Sequence, residues 1–277
     1  MATPAPVRSG FRVAGPEAPA TAYAHPPLVE CWLETNLAAG NLLTPADFAA
    51  LIAKLGPEWP QRSARPSQGG DLRLTNAMGD RVLRLSADGF GFGWLGHGGE
   101  RYPRYEAVRD GFVAVLDLVR DIVKQRTGTF TPITWAVRYV NRIPCGTVWS
   151  TAGDWSFFRL WQPHVLTGLG VEPSGFQGRW DLPLEAERGH LTIQFRHDGG
   201  ATSDASSPES SNSETSNSVW IELTASSTAE DTETSLFDGL DYGREVIVRS
   251  FNELVSAEAK EYWGVALPVR QVGTKAN

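Results

Sequence analysis

Two long segments with apolar residues at three- and four-residue spacing constrain the fold most strongly. The first runs from about Tyr105 to Arg126 and the second from Leu236 to Trp263. This spacing places the apolar side chains on one helix face, which must pack against another layer. Each half of the chain opens with alternating apolar and polar residues, the pattern of a half-buried strand. The sequence therefore predicts an α+β protein in which helices cover antiparallel sheets.

The two halves of the chain follow the same order of elements. Alternating strands at Leu28–Leu37 and Ile133–Ile143 open the halves, further strands follow, and a long helix closes each half. We predict two similar, pseudo-duplicated units, each an antiparallel sheet with a long amphipathic helix. The predicted units span 25–128 and 129–265, between disordered tails at 1–24 and 266–277.

Shorter elements complete this prediction. Thr44 is a helix N-cap, followed by Pro45 and Asp47 in the first turn. Residues 57–70 are predicted as a loop. Residues 198–218, eight of which are Ser, predict a disordered insertion at a hairpin tip. The remaining predicted strands are Leu72–Thr75, Arg81–Trp94, Gln177–Leu184, His190–His197 and Val219–Ala225.

The charge and composition bear on the class of partner. The net charge is −7, but residues 198–235 hold eight of the 32 acidic residues and no Lys or Arg. The remaining 24 acidic residues nearly balance the 25 basic ones, and no basic stripe favours nucleic-acid binding. No apolar run approaches the roughly 18 residues of a membrane helix. Two distant cysteines without a C-x-x-C pair favour a reducing cytoplasm.

Four segments resemble a sporadically distributed family of uncharacterised bacterial proteins of similar length. They are 26–30, 102–105, the strand 138–143 with the pattern R-Y-x-N-R-I, and 240–242. The resemblance covers about residues 26–264, and the Ser-rich insertion departs from the family pattern. It implies a stand-alone cytoplasmic protein with a patchy distribution, as is typical of defence or mobile-element genes. It implies no established activity.

The R-Y-x-N-R-I strand carries the main candidate binding residues. Arg138 and Arg142 lie on one face of this strand. Tyr139 and Asn141 lie on the opposite face. A buried amide at Asn141 requires hydrogen-bond partners, so it either fixes backbone or binds a ligand. We predict that this strand neighbours the first strand, where two glutamates have the same spacing. In that arrangement Glu30 pairs with Arg142 and Glu34 with Arg138; alternatively, both guanidiniums bind an anion.

Glycines alternate with aromatic residues at Gly89–Gly96. Gly91, Gly93 and Gly96 match G-x-G-x-x-G, but no helix follows, which argues against a dinucleotide-binding site. The segment fits a strand whose aromatic face packs under the long helix and whose glycine face allows close approach. The aromatic residues are Phe90, Phe92 and Trp94, and Trp94 is also a candidate binding residue.

The middle of the chain is rich in aromatic residues. Trp149, Trp155 and Trp161 lie close in sequence to Phe157 and Phe158. They form either a satellite core or a binding surface, for which Trp155 and Trp161 are the candidates. The five histidines lack metal-ligand spacing, and the sequence predicts no metal site, no catalytic residues and no cofactor.

These observations favour a non-enzymatic protein that binds another macromolecule, most simply a protein, through the aromatic segment and the Arg-bearing strand. The first alternative is a small-ligand-binding protein with a cavity between the sheet and the long helices. That cavity would lie near Phe92, Trp94, Tyr139 and Asn141. The second alternative is a hydrolase or nucleic-acid enzyme. The oligomeric state is left open.

Overall fold

The computed structural model describes residues 23–64, 72–96, 101–151, 155–159, 176–185, 188–198, 217–230 and 232–264. The protein is α+β, as predicted, with one antiparallel sheet of nine strands. None of the helices in these ranges is sufficiently long and apolar to cross a membrane.

The sheet contains strands from both halves of the chain. Its order is β2-β3-β4-β5-β1-β6-β9-β8-β7, with β1 and β6 paired near its centre. Strands β1–β5 and strands β6–β9, which come from the two predicted units, therefore share a single sheet. The strands are β1 (Leu28–Asn36), β2 (Gln61–Ala64), β3 (Leu72–Thr75), β4 (Arg81–Ser86), β5 (Gly89–Leu95), β6 (Thr134–Pro144), β7 (Gln177–Pro183), β8 (His190–Asp198) and β9 (Ser218–Thr228).

Within the described ranges, four α-helices accompany the sheet. They are α1 (Pro45–Leu55), α2 (Tyr105–Thr127), α3 (Glu233–Leu254) and α4 (Ala257–Tyr262). Helix α1 begins with a capping box between Thr44 and Asp47, which confirms the predicted start. Helix α2 ends at Gly128, whose φ of 80° is accessible to glycine without a Cβ clash.

The long helices α2 and α3 pack on the same face of the sheet. Gly111 of α2 lies against Phe92 of β5, and Gly243 of α3 lies against Val137 of β6. Phe92 and Val137 are both register partners of Leu33 on β1, so the three side chains point to one face. The core fills the layer between this face and the two helices.

The aromatic strand β5 confirms the predicted division of its faces. The side chains of Phe90, Phe92 and Trp94 are buried on the helix-covered face. On the other face, the glycines allow close contact with β1, and the indole of Trp32 lies directly on Gly93. Trp32 is therefore buried although it is on the face opposite to the long helices.

Two predicted segments are each divided in the structure. The predicted strand Arg81–Trp94 is a hairpin, because the chain turns at 87–88 between β4 and β5. The predicted helix to Trp263 ends at Leu254, since Val255 forms a bridge with Phe158 and Ser256 caps α4. The predicted loop 57–70 also contains strand β2, which pairs with β3.

The end of the predicted N-terminal tail belongs to the fold. Tyr23 is buried and makes edge-to-face contacts with Phe251 and Trp263. The Ala24 backbone N–H donates to the carbonyl oxygen of Gly264 at 2.7 Å. The prediction of a tail to residue 24 is therefore wrong for its last two residues, because the Tyr23 ring fits an apolar niche beside α3. Residues 1–22, residues 199–216 of the insertion predicted at 198–218, and the C-terminal tail lie outside the described residues. The ends of that prediction are wrong, because Asp198 and Ser218 pair as the last residues of β8 and the first of β9.

The aromatic middle segment joins the main hydrophobic core in its described part, rather than forming the predicted satellite core. Trp149, Trp155, Phe157 and Phe158 are all buried. Their rings contact each other and those of β7 and β8, and Trp155 lies 5.2 Å from the ring of His197. Trp161 lies outside the described residues.

Candidate functional site

A cavity of about 270 Å³ opens between the sheet and the two long helices. It lies at the centre of the sheet, over the β1–β6 pair, where the N-terminal end of α2 approaches the C-terminal half of α3. Binding sites for small organic ligands commonly measure about 300–1,000 Å³ and are mostly apolar with a few polar groups. This cavity is close to the lower end of that range.

One wall of the cavity is a single face of α3. Arg244, Ile247, Val248 and Phe251 line it, at the spacing that places side chains along one helix face. The helix face that packs on the core thus also lines the cavity. Arg244 is the first of its cavity-lining residues, and the other three are apolar. The opposite wall contains Arg104, Tyr105 and Glu106 at the start of α2.

The floor of the cavity contains a small hydrogen-bonded cluster. The hydroxyl of Tyr102 lies 3.2 Å from that of Tyr139 and 3.8 Å from the Sγ of Cys31. Burial raises the pKa of the Cys31 thiol to about 12 and raises the pKa of both phenols well above the usual value. At neutral pH these groups are uncharged, so Cys31 is a weak nucleophile and the tyrosines are neutral hydrogen-bonding groups.

Arg104 has a strained backbone at the rim of the cavity. Its φ is 80° and its ψ is 157°, a region that residues with a Cβ rarely adopt. Its guanidinium donates to the carbonyl oxygen of Tyr23 at 3.1 Å, which ties the start of α2 to the segment before β1. Strained backbone persists only where surrounding contacts hold the residue in place, and residues of this kind cluster at functional sites.

An ion pair joins α2 to α3 beside the cavity. Nε and Nη2 of Arg109 donate to the two carboxylate oxygens of Asp241 at 3.0 and 3.3 Å. The hydroxyl of Tyr105 donates to the same carboxylate at 2.8 Å. Burial, together with this hydrogen bond, raises the pKa of the phenol above its usual value. These contacts hold the two walls together and give the carboxylate of Asp241 three hydrogen bonds.

The structure brings two of the predicted site residues into the cavity. Tyr139 forms part of the floor, and Asn141 lines it while its Nδ2 donates to the carbonyl oxygen of Ile221 at 3.3 Å. The Asn141 amide therefore fixes the neighbouring strand β9 and also faces the cavity. Trp94 lies one layer behind, 5.2 Å from the ring of Tyr102, and Phe92 packs under α2 instead.

The charged residues predicted on β1 and β6 lie on the opposite face of the sheet. The strands are neighbours, as predicted, but Arg138 stands opposite Trp32 and lies 4.0 Å from Glu30. Glu34 pairs with Arg84 at 3.4 Å. The predicted pairs Glu30–Arg142 and Glu34–Arg138 are therefore wrong. The register of the two strands places Glu30 opposite Val140 and Glu34 opposite Ala136, two residues away from the alignment that the spacing alone suggests.

Arginines on this opposite face stack on tryptophans. The guanidinium of Arg138 lies 5.2 Å from the ring of Trp32, and that of Arg142 lies 5.6 Å from the ring of Trp220. Arg138 also lies 3.8 Å from Glu222. The two guanidiniums thus contact different partners and do not converge on one anion site.

Trp155, the remaining predicted binding residue in the described range, has no exposed surface. It packs inside the hydrophobic core and contributes no surface. Within the described ranges, no group of three His, Cys, Asp or Glu side chains is placed to hold a metal ion. Arg104, Arg244 and Tyr23 line the cavity but were not predicted; an arginine inside the apolar stripe of α3 was the available signal for Arg244.

Comparison of the chain with protein-family models and with curated proteins gives no match. The resemblance to a sporadic bacterial family, and the defence context that it implies, therefore stay predictions.

Proposed function

We propose that this protein binds a small organic molecule in the cavity between α2, α3 and the central strands. The observation that carries this proposal is the cavity itself: an apolar space of about 270 Å³ bordered by a few polar groups at defined positions. It lies next to Tyr139 and Asn141, two of the four residues near which the sequence predicted the small-ligand alternative; Phe92 and Trp94 do not line it.

The remaining surface supports this choice over recognition through the aromatic segment. In the described part of the chain, the exposed large hydrophobic side chains are Leu42, Met78 and Tyr262, which belong to separate elements. Such single exposed residues are ordinary on a protein surface. The described aromatic residues of the middle segment are buried and form no contact patch.

The position of the cavity also agrees with the pseudo-duplicated units, which we retain as a proposal. Outward from the β1–β6 pair, β5, β4 and β3 on one side correspond to β9, β8 and β7 on the other. Each side contributes one long helix. The cavity lies between these helices, at the junction of the proposed units, and junctions of this kind are common ligand sites.

Filling the cavity tests the proposal directly. Val248 is half-buried and lines the cavity from α3, so Val248→Phe places a larger side chain in the space. The uncharged fluorophore N-phenyl-1-naphthylamine gains fluorescence in an apolar site and serves as the probe. We expect saturable binding to the wild-type protein and at least a tenfold loss with Val248→Phe.

Met78→Phe is the matched control, since Met78 is exposed at a turn outside the cavity. It should bind the probe as the wild type does. Thermal unfolding of both variants shows whether they remain folded. Absence of binding by the wild-type protein, or equal binding by folded Val248→Phe, would overturn the proposal.

Recognition of a protein partner by the opposite sheet face is a second candidate function. The stacking of Arg138 on Trp32 and of Arg142 on Trp220 favours it, because Trp and Arg dominate the binding energy of many interfaces. A protein partner that copurifies with the wild-type protein in a 1:1 ratio should be lost with the double variant Arg138→Ala/Arg142→Ala. The same partner should still copurify with Val248→Phe. Retention by the double variant would remove this candidate.

A further inference from the structure

We infer that the ligand of the cavity carries an anionic group, a carboxylate on an aromatic or aliphatic body, and that Arg244 binds it. This inference rests on the proposed function, since it concerns the same cavity. It assigns the chemical class of the ligand and the residue that recognises its charge.

Arg244 is a half-buried cation without a described counter-ion. It lies in the middle of α3 and is the first residue of that helix to line the cavity. Its guanidinium lies 5.7 Å from the centre of the Tyr105 ring. Among the described residues, no carboxylate lies within ion-pair distance of it and no hydrogen bond satisfies its N–H groups. The carboxylate three residues earlier, Asp241, is already held by Arg109 and Tyr105.

The charge balance of the cavity favours an anion. Among the described residues, Arg104, Arg244 and Glu106 are the charged ones that line it, and together they give an excess of one positive charge. A partly buried guanidinium loses hydration, and a carboxylate in bidentate contact restores the lost hydrogen bonds. The positive charge of Arg244 also reaches the floor, where it partly opposes the effect of burial on the pKa of Cys31.

The N-terminal end of α2 adds to this positive potential. Tyr105 and Glu106, in the first helical turn, line the same wall, and within the described residues the Arg104 side chain makes no capping hydrogen bond. The first turn of a long helix carries partial positive charge on its free N–H groups. Arg244 and this helix end therefore act on the same side of the cavity.

The rest of the cavity fits an apolar ligand body. Leu28, Phe251 and Ile247 supply aliphatic and aromatic surface, and the rings of Tyr102 and Tyr139 form the floor. Because both phenols remain uncharged, they do not repel a nearby carboxylate. The arrangement thus fits a molecule with one charged end at Arg244 and an apolar remainder over the floor.

A matched pair of probes tests the inference. The probes 2-naphthoate and 2-naphthamide have the same ring system, and only the first is charged. Calorimetric titration of the full chain should show at least about tenfold tighter binding of the naphthoate, the size of effect expected for one charge-assisted contact. Arg244→Gln should remove most of this difference and leave the affinity for the naphthamide within about twofold.

The control variant is Arg179→Gln, which removes an exposed arginine paired with Asp181 on β7 and should change neither affinity. Equal affinities of the wild-type protein for the two probes would overturn the inference, as would an equal loss for both with Arg244→Gln. Binding of N-phenyl-1-naphthylamine in either case would leave the proposed function standing. If the fluorophore binds and neither 2-naphthoate nor 2-naphthamide does, the inference alone fails. If none of the three probes binds, the proposed function fails as well.

Discussion

The close approach of α3 to the sheet at Gly239 offers a stringent test of how the cavity wall is held. A Cβ on Gly239 would lie 2.3 Å from Cδ1, 2.4 Å from Nε1 and 2.5 Å from Cγ of Trp135. Favourable contacts between carbon atoms are about 3.5–4.0 Å. The indole is only 4% exposed, and it borders an open cleft together with Gly239 and Tyr242. Gly239→Ala must therefore displace either the indole or the helix.

Two opposing effects determine the magnitude. Alanine is favoured over glycine inside a helix by about 1 kcal/mol. Overpacking a close-packed core costs about 1–3 kcal/mol. Because three atoms of one rigid ring lie within 2.5 Å, we place the cost near the upper end of that range. The expected net result is a loss of about 1–2 kcal/mol in the free energy of unfolding.

Urea denaturation followed by circular dichroism measures this loss, and a double-mutant cycle with Trp135→Leu identifies its source. Removal of the indole leaves only the helix preference, so Gly239→Ala in that background should raise the free energy of unfolding by about 1 kcal/mol. Equal or greater stability of Gly239→Ala in the wild-type background would refute the reasoning. The same effect in both backgrounds would show that the Trp135 contact does not limit the position of α3.

Two further predictions concern the cavity rim and floor. Arg104→Gly should be about 1 kcal/mol more stable than Arg104→Ala in thermal unfolding, because glycine accepts a φ of 80° without a Cβ clash; equal stability would contradict backbone strain at this residue. The free energy of unfolding should also fall as the pH rises from about 9 towards 12, since burial raises the pKa of Cys31 to about 12. In this range the unfolded chain releases the thiol proton that the folded protein keeps, which favours unfolding. Urea titrations across this range should show a shallower decline for Cys31→Ala than for the matched control Cys145→Ala, and identical slopes would argue against this assignment.

Elements with a regular apolar period could be predicted closely from the sequence. The predicted helix 105–126 corresponds to α2, and the predicted strand 133–143 corresponds to β6, each within one residue at either end. Their side-chain spacing matches the period of the local backbone, so no distant contact is needed to identify them. Two boundaries were missed although local signals exist. Asp88-Gly89 is typical of a tight turn, and Ser256 is a typical N-cap.

The candidate site was predictable only in part. Tyr139 and Asn141 were recognised because their strand combines buried positions with polar groups. Tyr23, Arg104 and Arg244 come from distant segments, with Tyr23 and Arg244 separated by 221 residues, and no local pattern relates them. Their proximity depends on the pairing of β1 with β6 and on the packing of both helices against that pair.

The sequence by itself determined the α+β class, the long helices and the division of β5 into an aromatic face and a glycine face. These features depend on side-chain periods of about 3.6 and 2 residues, which operate over short distances along the chain. Only the tertiary structure decided which charges pair and where the cavity lies. The register of β1 against β6 decided the partners of Glu30 and Glu34, and the depth of α3 against Trp135 sets the position of Arg244. Both are consequences of close packing between distant segments, in which a shift of one residue or a single Cβ alters every contact.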